Sequence, residues 1–146
     1  MKKMIWFDMD GTIADLYGVE NWLPMLIAAD PTPYKVAAPL LHLSTLARML
    51  NKVQREGYEI GVISWLSKNS TPEYDELVKE AKLHWLAKHL PSVKWDTVHI
   101  VAYGTSKVET CGGGHLFDDE DRNRNEWGEG AHTPDEIIKV LSSLLA

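Results

Sequence analysis

The chain has 146 residues, 45% of them hydrophobic and 25% charged, a length and balance that suit one globular domain with a core large enough to carry a site. Its formal net charge of −6 and the lack of a basic stripe argue against a stable nucleic-acid complex, and a lone cysteine, Cys111, rules out an internal disulfide. No apolar run reaches transmembrane length, and Asp8 and Asp10 interrupt the lysine-led start too early for a secretory signal, so a cytoplasmic setting without membrane contact is expected.

Met4 to Phe7 is an apolar run that stops at Asp8 and reads as a buried strand. Residues 16–30 are apolar and loosely helical, and Pro31-Thr32-Pro33 reads as a breaker after them. Together they suggest a small helical insert at about 16–38 within a single domain spanning 1–146. Pro39 is expected to open a helix with Leu43, Leu46, Leu50 and Val53 at helical spacing, ending near Gly57. Tyr58 to Ile63 reads as a second buried strand with Ser64 at its end. Thr71-Pro72 caps a helix with Leu77, Val78, Ala81 and Trp85 on one side. Thr97 to Ala102 reads as a third strand and Cys111 to Gly114 as a loop. His115 to Phe117 reads as a fourth strand, and Thr133 to Glu136 as the cap of a last helix.

Strands alternating with helices predict an α/β fold, a parallel sheet with helices on both faces. Sites in such folds lie outside the carboxyl ends of the strands. The polar residues there include Asp8, Asp10, Ser64, Tyr103, Asp118 and Asp119, with Lys107 in the loop after the third strand. Two pairs of acids converging without a cation would repel each other. A divalent metal with oxygen ligands resolves the conflict, and that donor set suits Mg2+ rather than zinc. Gly11 lets the backbone pass close to a ligand, and Thr12 offers a hydroxyl and an amide. Taken singly, Ser64 and Lys107 are unremarkable loop-type residues, and any one of the acids could be a solvated helix cap.

The order of these residues carries more than any one of them. The segment 5–12, IWFDMDGT, resembles the first motif of the haloacid dehalogenase (HAD) superfamily of phosphatases. VISWLS (62–67), Lys107 in YGTSKVE, and HLFDDEDRN (115–123) resemble its second, third and fourth motifs in the same order. EAKLHWLAKHLP (80–91) and the short spacing from Lys107 to Asp118 are most similar to the 5'(3')-deoxyribonucleotidase group. The fourth motif departs from that group's Gly-Asp in reading Asp118-Asp119, and Asn123 stands where some relatives carry an acid.

The resemblance implies a HAD-like Rossmannoid three-layer sandwich with a small helical cap. It also implies a two-step phosphoryl transfer. Asp8 is the nucleophile and Asp10 the acid and base, while Ser64 and Lys107 hold phosphoryl oxygens. Mg2+ is implied on Asp8, the Asp10 carbonyl and Asp118 or Asp119, with Asp119 favoured. The implied substrate is a nucleoside monophosphate. Trp22 in the insert and Trp65 beside Ser64, with Tyr17 and Tyr34, are placed to stack on a base. Alternatives are a phosphatase for a sugar phosphate or a phosphate-ended oligonucleotide, and a non-enzymatic phosphate-binding module of the receiver type.

Overall fold

The computed structural model describes residues 3–146. Met1 and Lys2, which begin the lysine-led start, lie outside that range. The strands are β1 (Met4–Phe7), β2 (Ala14–Asp15), β3 (Ala38–Pro39), β4 (Glu59–Trp65), β5 (Thr97–Val101), β6 (His115–Phe117) and β7 (Ala131–His132). The helices are α1 (Trp22–Ile27), α2 (Thr32–Val36), α3 (Leu43–Arg55), α4 (Pro72–His89), α5 (Lys107–Cys111), α6 (Asp121–Trp127) and α7 (Ile137–Leu144).

Five strands form one parallel sheet in the order β5-β4-β1-β6-β7. The chain builds outward from β1 to β4 and β5, then returns to β1's other side for β6 and β7. The topological switch therefore falls between β1 and β6, where an open α/β sheet opens its crevice. The central strand β1 is buried along its whole length, as a strand covered on both faces must be.

Alternation along the strands sorts the core into two layers. Ile5, Phe7, Ile60 and Val62 pack with Leu46, Leu50 and Val53 of α3, Trp85 and Leu86 of α4, and Ile137 and Leu141 of α7. Met4, Trp6, Ile63 and Leu116 face the other way, onto Cys111 of α5 and Trp127 of α6. The three-layer α/β arrangement expected from the sequence is the one observed. A separate small cluster joins Leu16 and Tyr34 to Tyr74, Val78 and Ala81 of α4. It seats the segment that leaves and returns through the antiparallel pair β2–β3.

Several local expectations are corrected. Pro39 lies in β3, and α3 begins at Leu43 behind the N-cap His42. Pro31 and Pro33 follow the end of α1 at Ile27 as a breaker should, but they also open a second helix. Both fall at the start of α2, where a missing N–H costs no helical bond. Strand β4 runs two residues past Ile63, so Ser64 lies within it. Leu77 is exposed, and the buried stripe of α4 runs Tyr74, Val78, Ala81, Lys82, Trp85 and Leu86. Cys111 is not a loop residue; it ends α5 and is buried. The short elements α5, α6 and β7 had no periodic signal of their own.

Trp85 ties these parts together. It is fully buried, and its Nε1 donates to the Ala37 carbonyl at 2.8 Å, fixing the returning end of the insert to α4. Trp85→Ala is expected to cost about 3–5 kcal/mol, a large share of a domain's stability. Urea denaturation checks this. A loss below about 1 kcal/mol would mean that the site collapses around the truncation.

Candidate active site

The register Phe7↔Phe117 sets Asp8 and Asp118 side by side at the carboxyl ends of β1 and β6. The Asp8 amide donates to the Phe117 carbonyl at 3.0 Å and fixes that placement. Lys107, the first residue of α5, sends its Nζ between the two acids. It donates to Asp8 Oδ1 at 3.0 Å and to Asp118 Oδ2 at 2.6 Å. Burial alone would lower the Lys107 pKa, but the carboxylates of Asp8 and Asp118 outweigh it and hold the ammonium charged.

Thr12 completes the hold on Asp8, donating its hydroxyl to Oδ2 at 2.9 Å, with Asp119 Oδ1 3.4 Å from the same hydroxyl. Asp118 is fully buried. It also accepts from Asn123 Nδ2 at 3.2 Å and from the Glu120 amide at 3.0 Å. Gly11 is required twice over. Its φ is +81°, and a Cβ there would sit 2.3 Å from Asp119 Oδ2.

Asp8, Asp118 and Asp119 each turn a carboxylate oxygen into a common space, all within 4.8 Å of one another. Lys107 is the cation that pairs with this group, and it does not neutralise three acids. The imbalance appears in their titration. Burial and the nearby Asp8 push Asp118 up to about 6 and Asp119 up to about 8. A set of carboxylate oxygens short of positive charge fits a hard divalent cation such as Mg2+.

Asp10 stands apart from this group. Its Oδ2 accepts from Lys82 Nζ at 3.0 Å, and the same Nζ donates to Ser64 Oγ at 2.6 Å and to the Trp65 carbonyl at 2.8 Å. Burial raises the Asp10 pKa above the usual carboxylate range against the pull of Lys82. Ser64 is fully buried and does not line the cleft; its oxygen faces Lys82.

A cleft of about 590 Å³ opens above Asp8, Asp10, Lys107 and Asp118, a volume that suits a small-molecule ligand. Trp22 and Trp65 both line it, as do Tyr17 and Tyr34. Tyr17 meets Trp22 edge-on at 5.0 Å, and Trp65 lies against Tyr103 at 4.9 Å. Lys107 and Arg122 stand 5.3 Å and 5.1 Å from the Trp65 ring.

The chain is similar over 99% of its length, and 99% of the other's, to the crystal structure of D,D-heptose 1,7-bisphosphate phosphatase from Burkholderia thailandensis, with a TM-score of 0.57 and 12% identity. The fold is HAD-like. At that identity the likeness speaks to the fold alone. No protein-family model matches the sequence, and neither does any curated protein. Among the described residues, no helix is long and apolar enough to cross a membrane.

Sequence reasoning missed Lys82 and Tyr74, whereas Tyr103, singled out at the end of the third strand, does line the cleft. The signal for Lys82 was its register, since it falls between Val78 and Trp85 on the apolar stripe of α4, where a lysine must find buried partners.

The acid group yields a pH prediction. A carboxyl raised to about 8 in the folded protein binds more protons there than in the unfolded chain, whose value is near 3.8. Its contribution to stability is thus present below pH ~4 and lost as pH rises through ~8. In metal-free protein, Asp119→Asn should flatten that part of the decline and raise the melting temperature at pH 8. It should also reduce the rise produced by Mg2+. Calorimetry from pH 5 to 8.5, with and without Mg2+, reads all three. An unchanged Mg2+ response would remove Asp119 from the metal site.

Proposed function

We propose that the protein is a metal-dependent phosphomonoester hydrolase that works through an aspartyl-phosphate on Asp8, with nucleoside monophosphates as substrates. The observation that carries this reading is the juxtaposition on a HAD-like sheet of Asp8, Lys107 and Thr12 beneath an aromatic cleft, beside an acid group that calls for a divalent cation.

Asp8, Asp118 and Asp119 would hold the Mg2+, which neutralises phosphate charge and orients the group. Asp119 suits the inner position, because Asp118 is fully buried and already accepts from three donors, Lys107, Asn123 and the Glu120 amide. An Asp8 carboxylate oxygen attacks phosphorus as the bond to the leaving alcohol breaks, and Asp10 gives its proton to the alcohol oxygen. Water then adds to phosphorus and gives a proton back to Asp10, releasing inorganic phosphate and restoring Asp8. The raised pKa of Asp10 suits the first of these tasks. Lys107 offsets the charge of Asp8 and lies where it could bind a phosphoryl oxygen. Ser64 supports this arrangement from below, through Lys82. Residues 16–38 act as the cap.

The aromatic walls support a ring-bearing leaving group. Stacking on such a ring is worth roughly 1–3 kcal/mol per base. A second reading, a sugar-phosphate phosphatase, is favoured by the substrate of the structural neighbour, a heptose bisphosphate.

Asp8→Asn is expected to stay folded by circular dichroism and to lose several powers of ten in phosphate release with Mg2+. Retention of more than about a tenth of the activity would sink the nucleophile assignment.

The substrate assignment is tested by kcat/KM for nucleoside monophosphates against hexose and triose phosphates. Nucleotides should lead, and Trp22→Ala or Trp65→Ala should erode the lead by about 5- to 100-fold. Equal turnover of sugar phosphates favours the second reading instead. A preference that survives both tryptophan changes removes stacking as its cause.

A further inference from the structure

Lys82 is a fully buried lysine in the middle of a helical face that otherwise meets the core with Tyr74, Val78, Ala81, Trp85 and Leu86. Burying an ammonium is costly unless each of its donors is satisfied. Here each one is. The three N–H groups match three acceptors, Asp10 Oδ2, Ser64 Oγ and the Trp65 carbonyl, at 3.0, 2.6 and 2.8 Å. The ring of Tyr34, from the insert, lies 5.0 Å from the same nitrogen.

This arrangement does more than satisfy the lysine. Strand alternation turns Ser64 toward the α4 side of the sheet, where it meets Lys82 rather than the cleft. Lys82 does not line the cleft either, so it acts through its partners. Of these, Asp10 and Trp65 line the cleft; Trp65 is held only by its backbone carbonyl, so Asp10 is the cleft residue whose side chain Lys82 holds. The bond to Lys82 occupies Oδ2, and among the described residues no hydrogen bond is formed to Oδ1. The two aspartates of the Asp-x-Asp segment are thus held by different cations: Asp8 by Lys107, Asp10 by Lys82.

We propose that Lys82 is the positioning residue for leaving-group protonation: it fixes the Asp10 carboxyl so that Oδ1 is the oxygen presented to the departing alcohol. This rests on the hydrolase reading above. The proton moves from Asp10 to the alcohol oxygen as the phosphorus–oxygen bond breaks, and Lys82 takes no part in the transfer. A group that serves only this step matters in proportion to how much the leaving group needs a proton. An alkoxide from a nucleoside monophosphate needs it badly; 4-nitrophenolate does not.

The experiment compares those two esters with saturating Mg2+. Lys82→Met should lower kcat/KM for the nucleoside monophosphate by about 10²–10⁴-fold, the range of general acid catalysis. The loss on 4-nitrophenyl phosphate should stay below about tenfold. On the nucleotide, Lys82→Met combined with Asp10→Asn should fall no further than Asp10→Asn alone, because the two act in one step. Should Lys82→Met fail to fold by circular dichroism, Lys82→Arg and Ser64→Ala carry the test, with the same selective loss in smaller measure. Equal losses on both esters in a folded variant, or additive losses in the double variant, would overturn the proposal while leaving the hydrolase reading standing. A wild type that releases phosphate from neither ester removes the hydrolase reading and this inference with it.

Discussion

Two neighbouring parallel strands, β1 and β6, end in acids, and the carboxyl edge of the sheet is organised around the negative charge this creates. Their register leaves no freedom to separate Asp8 from Asp118, since Phe7 and Phe117 are ladder partners. The charge must be met where it stands. Lys107 meets part of it from the first turn of α5, and Thr12 and Asn123 meet part with neutral donors. The remainder shows as Asp118 and Asp119 pushed up toward their protonated forms. A site of this kind is destabilising by construction, and a bound cation would relieve it.

The same edge separates two carboxylates two residues apart into different surroundings. Asp8 lies beside Lys107 on the side of the sheet covered by α5 and α6. Asp10 lies beyond the strand and reaches Lys82 on α4. Without that separation both would turn to the same lysine. With it, one carboxylate is held by a cation and a hydroxyl, and the other is held at a single oxygen. Pairs of acids in unlike environments are how a site assigns a nucleophile and an acid to the same residue type.

Much of this was legible in the sequence because strong periodic signals and ordered motifs lay in the long elements. The buried runs of β1 and β4 and the spacing of α3 stand out, and so does the capping box at Thr133. What was not legible has physical reasons. Strands of two residues such as β7, and helices of five to seven such as α5 and α6, are too short to show a period. Pro39 looked like a helix start because proline favours that position, yet its strand partner Ala14 holds it in β3. Lys82 was hidden by its type: a lysine on a helix is by default a surface residue, and only its register says otherwise.

The insert shows how unevenly a small protein can distribute its packing. In α2, Pro33 and Tyr34 are buried, and the Tyr34 hydroxyl shares a 2.6 Å hydrogen bond with Ser67. In α1, a wholly apolar helix, no residue is buried, and Leu23 and Ile27 are 49% and 78% exposed. Trp22, Leu23, Leu26 and Ile27 line the cleft, and Leu26 also packs on the Leu16–Tyr34 cluster. The free energy that would ordinarily anchor an apolar helix, about 25 cal/mol for each Å² withdrawn from water, is therefore mostly unrealised for α1. An element with few buried contacts opens at low free energy. The cleft wall is thus firm on the side of Trp65 and α4, which belong to the core, and yielding on the side of α1. A ligand entering above Asp8 would bury the apolar surface of α1 that folding leaves open.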